Sequence, residues 1–163
     1  MTNLFLGVKS NAQESAKFDF KEKVDSFVKK YSADFSINND WYSKSFLEST
    51  IEYNSNYNGI WKRGLTFKKM VTDSNINQTS ELRIRVFFYQ FETEKECVAV
   101  QDSLYDLLLN PKSAISKTYS VLLCDKEIVG CFLSHGKGDL WIKFKEQLLN
   151  TFGISRCPLI QTH

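Results

Sequence analysis

Leu82-Arg83-Ile84-Arg85-Val86-Phe87-Phe88-Tyr89 is the stretch from which the fold is read. Leu82, Ile84, Val86 and Phe88 alternate with Arg83, Arg85, Phe87 and Tyr89, the period of a strand. Thr93-Glu94-Lys95-Glu96 follows and has the spacing of a capping box that opens a helix. Cys97, Val100, Leu104, Leu107 and Leu108 line one face of that helix. Asn110-Pro111 ends it, because the residue before a proline avoids the helical region. Ser120 to Leu133 then reads as a hairpin turning near Asp125-Lys126.

Outward from this strand–helix–hairpin unit, two more helices are predicted. Phe20, Val24, Phe27, Val28 and Tyr31 share a face over about 20–32, with Asp19 and Glu22 at capping-box spacing. Leu140, Phe144, Leu148 and Phe152 share another, with Trp141 and Leu149 beside it and Gly153 placed as a C-terminal cap. Between them, Leu47, Ser49, Ile51 and Tyr53 alternate with Glu48, Thr50 and Glu52. A helix there would point Phe46 and Ile51 in different directions, so a strand is predicted. Asn54 to Gly59 has turn chemistry, a second strand is placed within Ile60 to Val71, and Asp73 to Ser80 reads as a polar loop. The order is α-β-β-β-α-β-β-α. It implies an α+β fold, with a mainly antiparallel sheet of about five strands and helices packed on one face.

The chain has 163 residues, 42% hydrophobic and 25% charged, which suits one domain with a real core. Thirteen Phe point to a core of rings. A net charge of +2 lacks the basic footprint of a nucleic-acid binder. No stretch reaches the roughly 18 apolar residues that a membrane span needs.

Residues 1–16 are set apart from a domain over 17–163. Leu4-Phe5-Leu6-Gly7-Val8 is a short apolar run, and Ser10-Asn11-Ala12 gives small-x-small. The pair resembles the rear half of a secretory signal peptide, with cleavage after Ala12. No Lys or Arg precedes the run, which is also short; a start codon placed too late accounts for both. Export, to the periplasm or the medium, is the expectation.

Export makes the four cysteines candidates for disulfides. A two-residue turn at Asp125-Lys126 sets Cys131 opposite Ser120, too far from Cys124 for a bridge. Cys131 with Cys157 is the bridge expected, and Cys97 is expected as a small core residue.

The chain has two histidines, His135 and His163, so a Ser-His-Asp triad or a His-rich metal site has little to draw on. Cys124, Cys131, His135 and Cys157 match no compact zinc spacing. Cys131 and His135 could form a nucleophile–base pair only if the strand ended sharply, since extended chain sets them roughly 13 Å apart. His135 is expected in a solvated loop. Glu48 and Glu52 share a face in either conformation and are expected to be solvated. Asn77-Gln78-Thr79 matches the N-glycosylation sequon. Arg83, Arg85, Phe87 and Tyr89 could present charge and rings to a ligand or partner, with Lys62, Arg63, Lys68 and Lys69 as a basic stretch nearby. The favoured reading is a solvated sheet face with the aromatics tucked under a neighbouring segment.

The expected function is that of a small exported binding domain with no catalytic residues, metal or cofactor. Its partner would be a protein, or an apolar ligand held between sheet and helices. Two alternatives remain open: a cytosolic immunity-type protein that neutralises a toxin, and an enzyme with a cryptic site near Cys131 and His135.

Overall fold

The computed structural model describes residues 19–39, 44–55, 60–73, 77–109, 118–136 and 138–162. The signal-like segment 1–16 and the Asn110-Pro111 helix stop lie outside them. Helix α1 (Phe20–Tyr31) begins at Asp19, whose carboxylate accepts from the Lys21 backbone N–H. Its buried face is Phe20, Val24, Phe27 and Tyr31. Strand β1 (Ser36–Asn38) and helix α2 (Phe46–Asn54) follow. Strands β2 (Trp61–Asp73) and β3 (Gln78–Gln90) form a long antiparallel pair. Helix α3 (Glu94–Leu109) opens with the expected box: Glu96 N–H donates to the Thr93 hydroxyl, and Thr93 N–H to the Glu96 carboxylate. Strands β4 (Tyr119–Leu123) and β5 (Glu127–His135) form the predicted hairpin, with Ser120 opposite Cys131. Helix α4 (Asp139–Phe152) is capped by Gly153 in the left-handed region, and β6 (Leu159–Gln161) closes the chain.

The fold is α+β, with one antiparallel sheet of six strands in the order β1-β2-β3-β5-β4-β6. The predicted placement of the helices on one face is corrected. Helices α1 and α4 cover one face, burying Phe27, Phe144 and Phe152 against Phe67, Val86 and Phe88. Helices α2 and α3 cover the other, burying Ile51, Val100 and Leu104 against Phe87, Tyr89 and Ile128. The reason lies in β3: Val86-Phe87-Phe88-Tyr89 is apolar at both parities, so each face of this inner strand must be shielded from water.

The region 46–53 is a helix, not the predicted strand. Its start signal is Ser45 with Glu48. The Ser45 side chain accepts from Glu48 N–H at 3.2 Å, and Ser45 N–H donates to the Glu48 carboxylate at 2.9 Å. The polar loop at 73–80 is also shorter than predicted, since Asp73 pairs with Gln78. Residues 69–73 and 78–82 pair only with each other among the described residues and project as a two-stranded ribbon.

The expected Cys131–Cys157 bridge is corrected as well. Cys124 bonds Cys157, with Cα atoms 4.9 Å apart, while Cys97 and Cys131 are free and buried. Register explains the choice. Leu122 faces Leu159, and Leu123 N–H donates to the Pro158 carbonyl, so the next residues along the pair, Cys124 and Cys157, come opposite each other. Cys131 lies on β5, two strands from β6, at a separation of about 10 Å. That exceeds disulfide reach.

Candidate functional site

The strand face proposed as a binding surface is not at the surface. Arg85, Phe87 and Tyr89 are buried beneath α2, and only Arg83 is exposed, with its guanidinium on Glu81 of its own strand. What covers them is the inner face of α2, whose buried positions are Leu47, Glu48, Ile51 and Glu52. Leu47 and Ile51 form an apolar half and Glu48 and Glu52 an acidic half, each pair four residues apart.

The acidic half is seated on the sheet by charge. Glu48 is 0% exposed and Glu52 3%, so the expectation that both are solvated is overturned. Arg85 donates to both oxygens of Glu48, from Nε at 3.2 Å and Nη2 at 2.7 Å. A planar guanidinium matches a carboxylate in this two-bond geometry. Arg85 also reaches the Thr66 hydroxyl at 3.5 Å. Glu52 takes Lys44 at 2.5 Å and Lys62 at 3.2 Å. The Tyr89 hydroxyl donates to Glu52 Oε1 at 3.4 Å. Burial first, and then the adjacent Glu48 and Glu52 charges, push the Tyr89 phenol well above its ordinary range, so it stays a donor.

Gly64 makes the seat possible. It lies on β2 opposite Phe87, and a Cβ there would come within 2.4 Å of Arg85 Nη2 and 3.0 Å of Glu48 Oε1. Only a residue without a side chain leaves room for the guanidinium.

With its inner face held this way, α2 presents two large aromatics outward. Phe46 is 62% exposed and Tyr53 79%. Seven residues of helix set them about 10 Å apart on one side. In the sequence they are flanked by Trp41, Tyr42 and Tyr57. The observation that argued against a helix, Phe46 pointing away from Ile51, is what the structure contains: Ile51 faces the sheet and Phe46 faces solvent.

The remaining candidates are dispersed. Cys131 is buried on the α1–α4 face, whereas His135 is exposed at the end of β5 opposite Arg83. Burial pushes the Cys131 thiol up to about 12, and burial likewise takes Cys97 to about 12. Both are therefore neutral thiols at physiological pH, not nucleophiles. Of the four residues weighed as zinc ligands, Cys124 and Cys157 are joined to each other. The basic stretch on β2 meets acids: Lys62 meets Glu52, Arg63 meets Asp25 at 2.5 Å, and Lys69 meets Asp34 at 3.7 Å. Asn77 of the sequon is exposed beside the ribbon turn. Among the described residues, no helix is long and apolar enough to cross a membrane. No protein-family model, curated protein or solved structure matches this chain.

Proposed function

We propose that the chain is an exported, non-catalytic binding domain that grips a protein partner with the outer face of α2. The observation that carries this reading is the pairing of two highly exposed aromatics with a short helix clamped from below by buried ion pairs. Exposed Phe and Tyr are costly in water and are enriched where proteins meet. Nine residues are too few for a stable isolated helix, so the clamp supplies the rigidity. A contact face ordered before binding loses less conformational entropy on association. The Cys124–Cys157 bridge supports export, because such bonds persist mainly in oxidising compartments.

Site-specific photo-cross-linking tests the reading. A photoreactive residue is placed at Phe46 or Tyr53, with Ile142 on α4 as an exposed control, in protein produced by its native host. The expected result is one discrete protein adduct from positions 46 and 53 and none from 142. Adducts of equal yield at all three, or at none, would overturn the assignment of the face. Recovery of the native protein in the cytosol with four free thiols would overturn export.

A further inference from the structure

On the opposite face of the sheet, a cavity of about 250 Å³ opens between the end of α1, the start of α4 and β2. Its floor is apolar: the edges of Tyr31 and Phe35 reach it, Phe144 lies buried behind them, and Leu140 closes one side. Its rim carries three lysines, Lys30, Lys69 and Lys143, against one acid, Asp34. Lys69 is 3.7 Å from Asp34 and lies 5.6 Å from the centroid of the Phe35 ring. Lys30 is 3.4 Å from the Gln147 carbonyl oxygen and lies 5.6 Å from the Tyr31 centroid. Lys143 makes no hydrogen bond or ion pair among the described residues.

We propose that this cavity binds a small aromatic carboxylate. The ring lies on Tyr31, Phe35 and Leu140, and the carboxylate meets Lys143 with Lys69 and Lys30 around it. Three considerations select this class. The volume falls just below the ~300–1,000 Å³ of typical small-molecule sites, so it suits one or two fused rings and excludes a folded partner. The floor offers ring edges and faces, which favour an aromatic body in offset or edge-on contact. The rim has an excess of positive charge carried by ammonium groups, which attract an anion as point charges without demanding a planar fork. This site is on the other side of the sheet from α2 and does not depend on the binding face proposed there.

Calorimetric titration with 2-naphthoate at low salt tests the proposal on the intact protein. 2-Naphthalenemethanol, with the same rings and no charge, is the comparator. For a ligand of this size the expected dissociation constant is roughly 1 mM or tighter. The neutral comparator should bind at least about tenfold more weakly, and 0.5 M NaCl should weaken naphthoate several-fold. Lys143→Glu replaces an exposed side chain and Lys69→Glu a partly exposed one, and their folding is checked by circular dichroism. Either should weaken naphthoate at least about tenfold by reversing a rim charge. Methyl resonances should shift at Leu140 and not at Leu104, on the other face. Absence of saturable binding below about 5 mM, equal affinity for the alcohol, or folded charge-reversal variants that bind as wild type would overturn it.

Discussion

The two faces of the sheet solve the same packing problem with different chemistry. Under α1 and α4 the contacts are between rings: Phe27, Phe67 and Phe144 meet edge to face with centroids 5.0 to 6.2 Å apart, and Phe20 and Phe152 continue the cluster. Under α2 and α3 the sheet buries a bidentate ion pair and a second carboxylate held by two lysines and a phenol. Ring packing is held by shape and edge-to-face contact and involves no buried charge. A buried carboxylate is costly unless its partners stay in place, so the second face holds its helix in a single position. Both faces bury an apolar cluster, but only the second adds buried charges that seat a helix, and the exposed aromatics are on that side.

The largest effects should come from removing one member of each device. Phe144→Ala should cost about 3–5 kcal/mol through lost burial and a cavity. Arg85→Met should cost a similar 3–5 kcal/mol by leaving Glu48 buried without a counter-charge. Their second-site behaviour separates the faces. Adding Glu48→Leu to Arg85→Met should recover the loss except for about 1 kcal/mol, because the orphaned charge goes but the Ser45 N–H loses its carboxylate, as a double-mutant cycle in urea would show. If Glu48→Leu fails to rescue, the charges are holding more than each other, and the division drawn above is too simple.

Next in size is the bridge. Both faces depend on β6, which supplies Ile160 to one cluster and Leu159 to the margin of the other. Opening Cys124–Cys157 by serine substitution of both residues should lower stability by about 2–4 kcal/mol, read as a lower denaturant midpoint.

Each face also buries one free thiol, which allows a direct comparison of local opening. Cys97 sits in the first turn of α3, and Cys131 lies on β5 inside the sheet. Alkylation in sub-denaturing urea should modify Cys97 first, since a helix end opens locally while an inner strand needs global unfolding. Equal rates would mean that the faces open together. The thiols also set a sign for pH. Both titrate near 12 in the fold, above the ordinary 9. Their contribution to stability is complete below about pH 9 and is lost as pH rises toward 12, so the urea midpoint should fall across that window.

The smallest effect should be at the outer face of α2. Phe46→Ser and Tyr53→Ser should each change stability by no more than about 0.5 kcal/mol, because neither side chain is buried. A larger loss in thermal or urea unfolding would make these residues part of the packing and remove the argument for a contact face.

Where local pattern and tertiary contact agree, the chain was readable. Helices α1, α3 and α4 have single apolar stripes that need only one surface to pack on, and β3 and the β4–β5 hairpin have turn and alternation signals within a few residues. Helix α2 reads as a strand because Phe46 and Ile51 point apart, and its inner face is half charged: Glu48 and Glu52 read as solvent-facing until Arg85 and Lys62 are brought beside them. A signal was present in Ser45-Phe46-Leu47-Glu48, whose spacing is that of a capping box.

The sequence by itself determined the class of fold, most of the elements and the register of the hairpin that sets Cys131 opposite Ser120. These follow from side-chain period, caps and turns, which act over a few residues. Tertiary structure alone decided that helices cover both faces, that Cys157 pairs with Cys124, and that Arg85 and Tyr89 form the seat of a helix and not a surface. The bridge and the seat each depend on groups 33 or more residues apart becoming neighbours. Whether a charge is exposed or buried depends on what arrives opposite it, which no local pattern encodes.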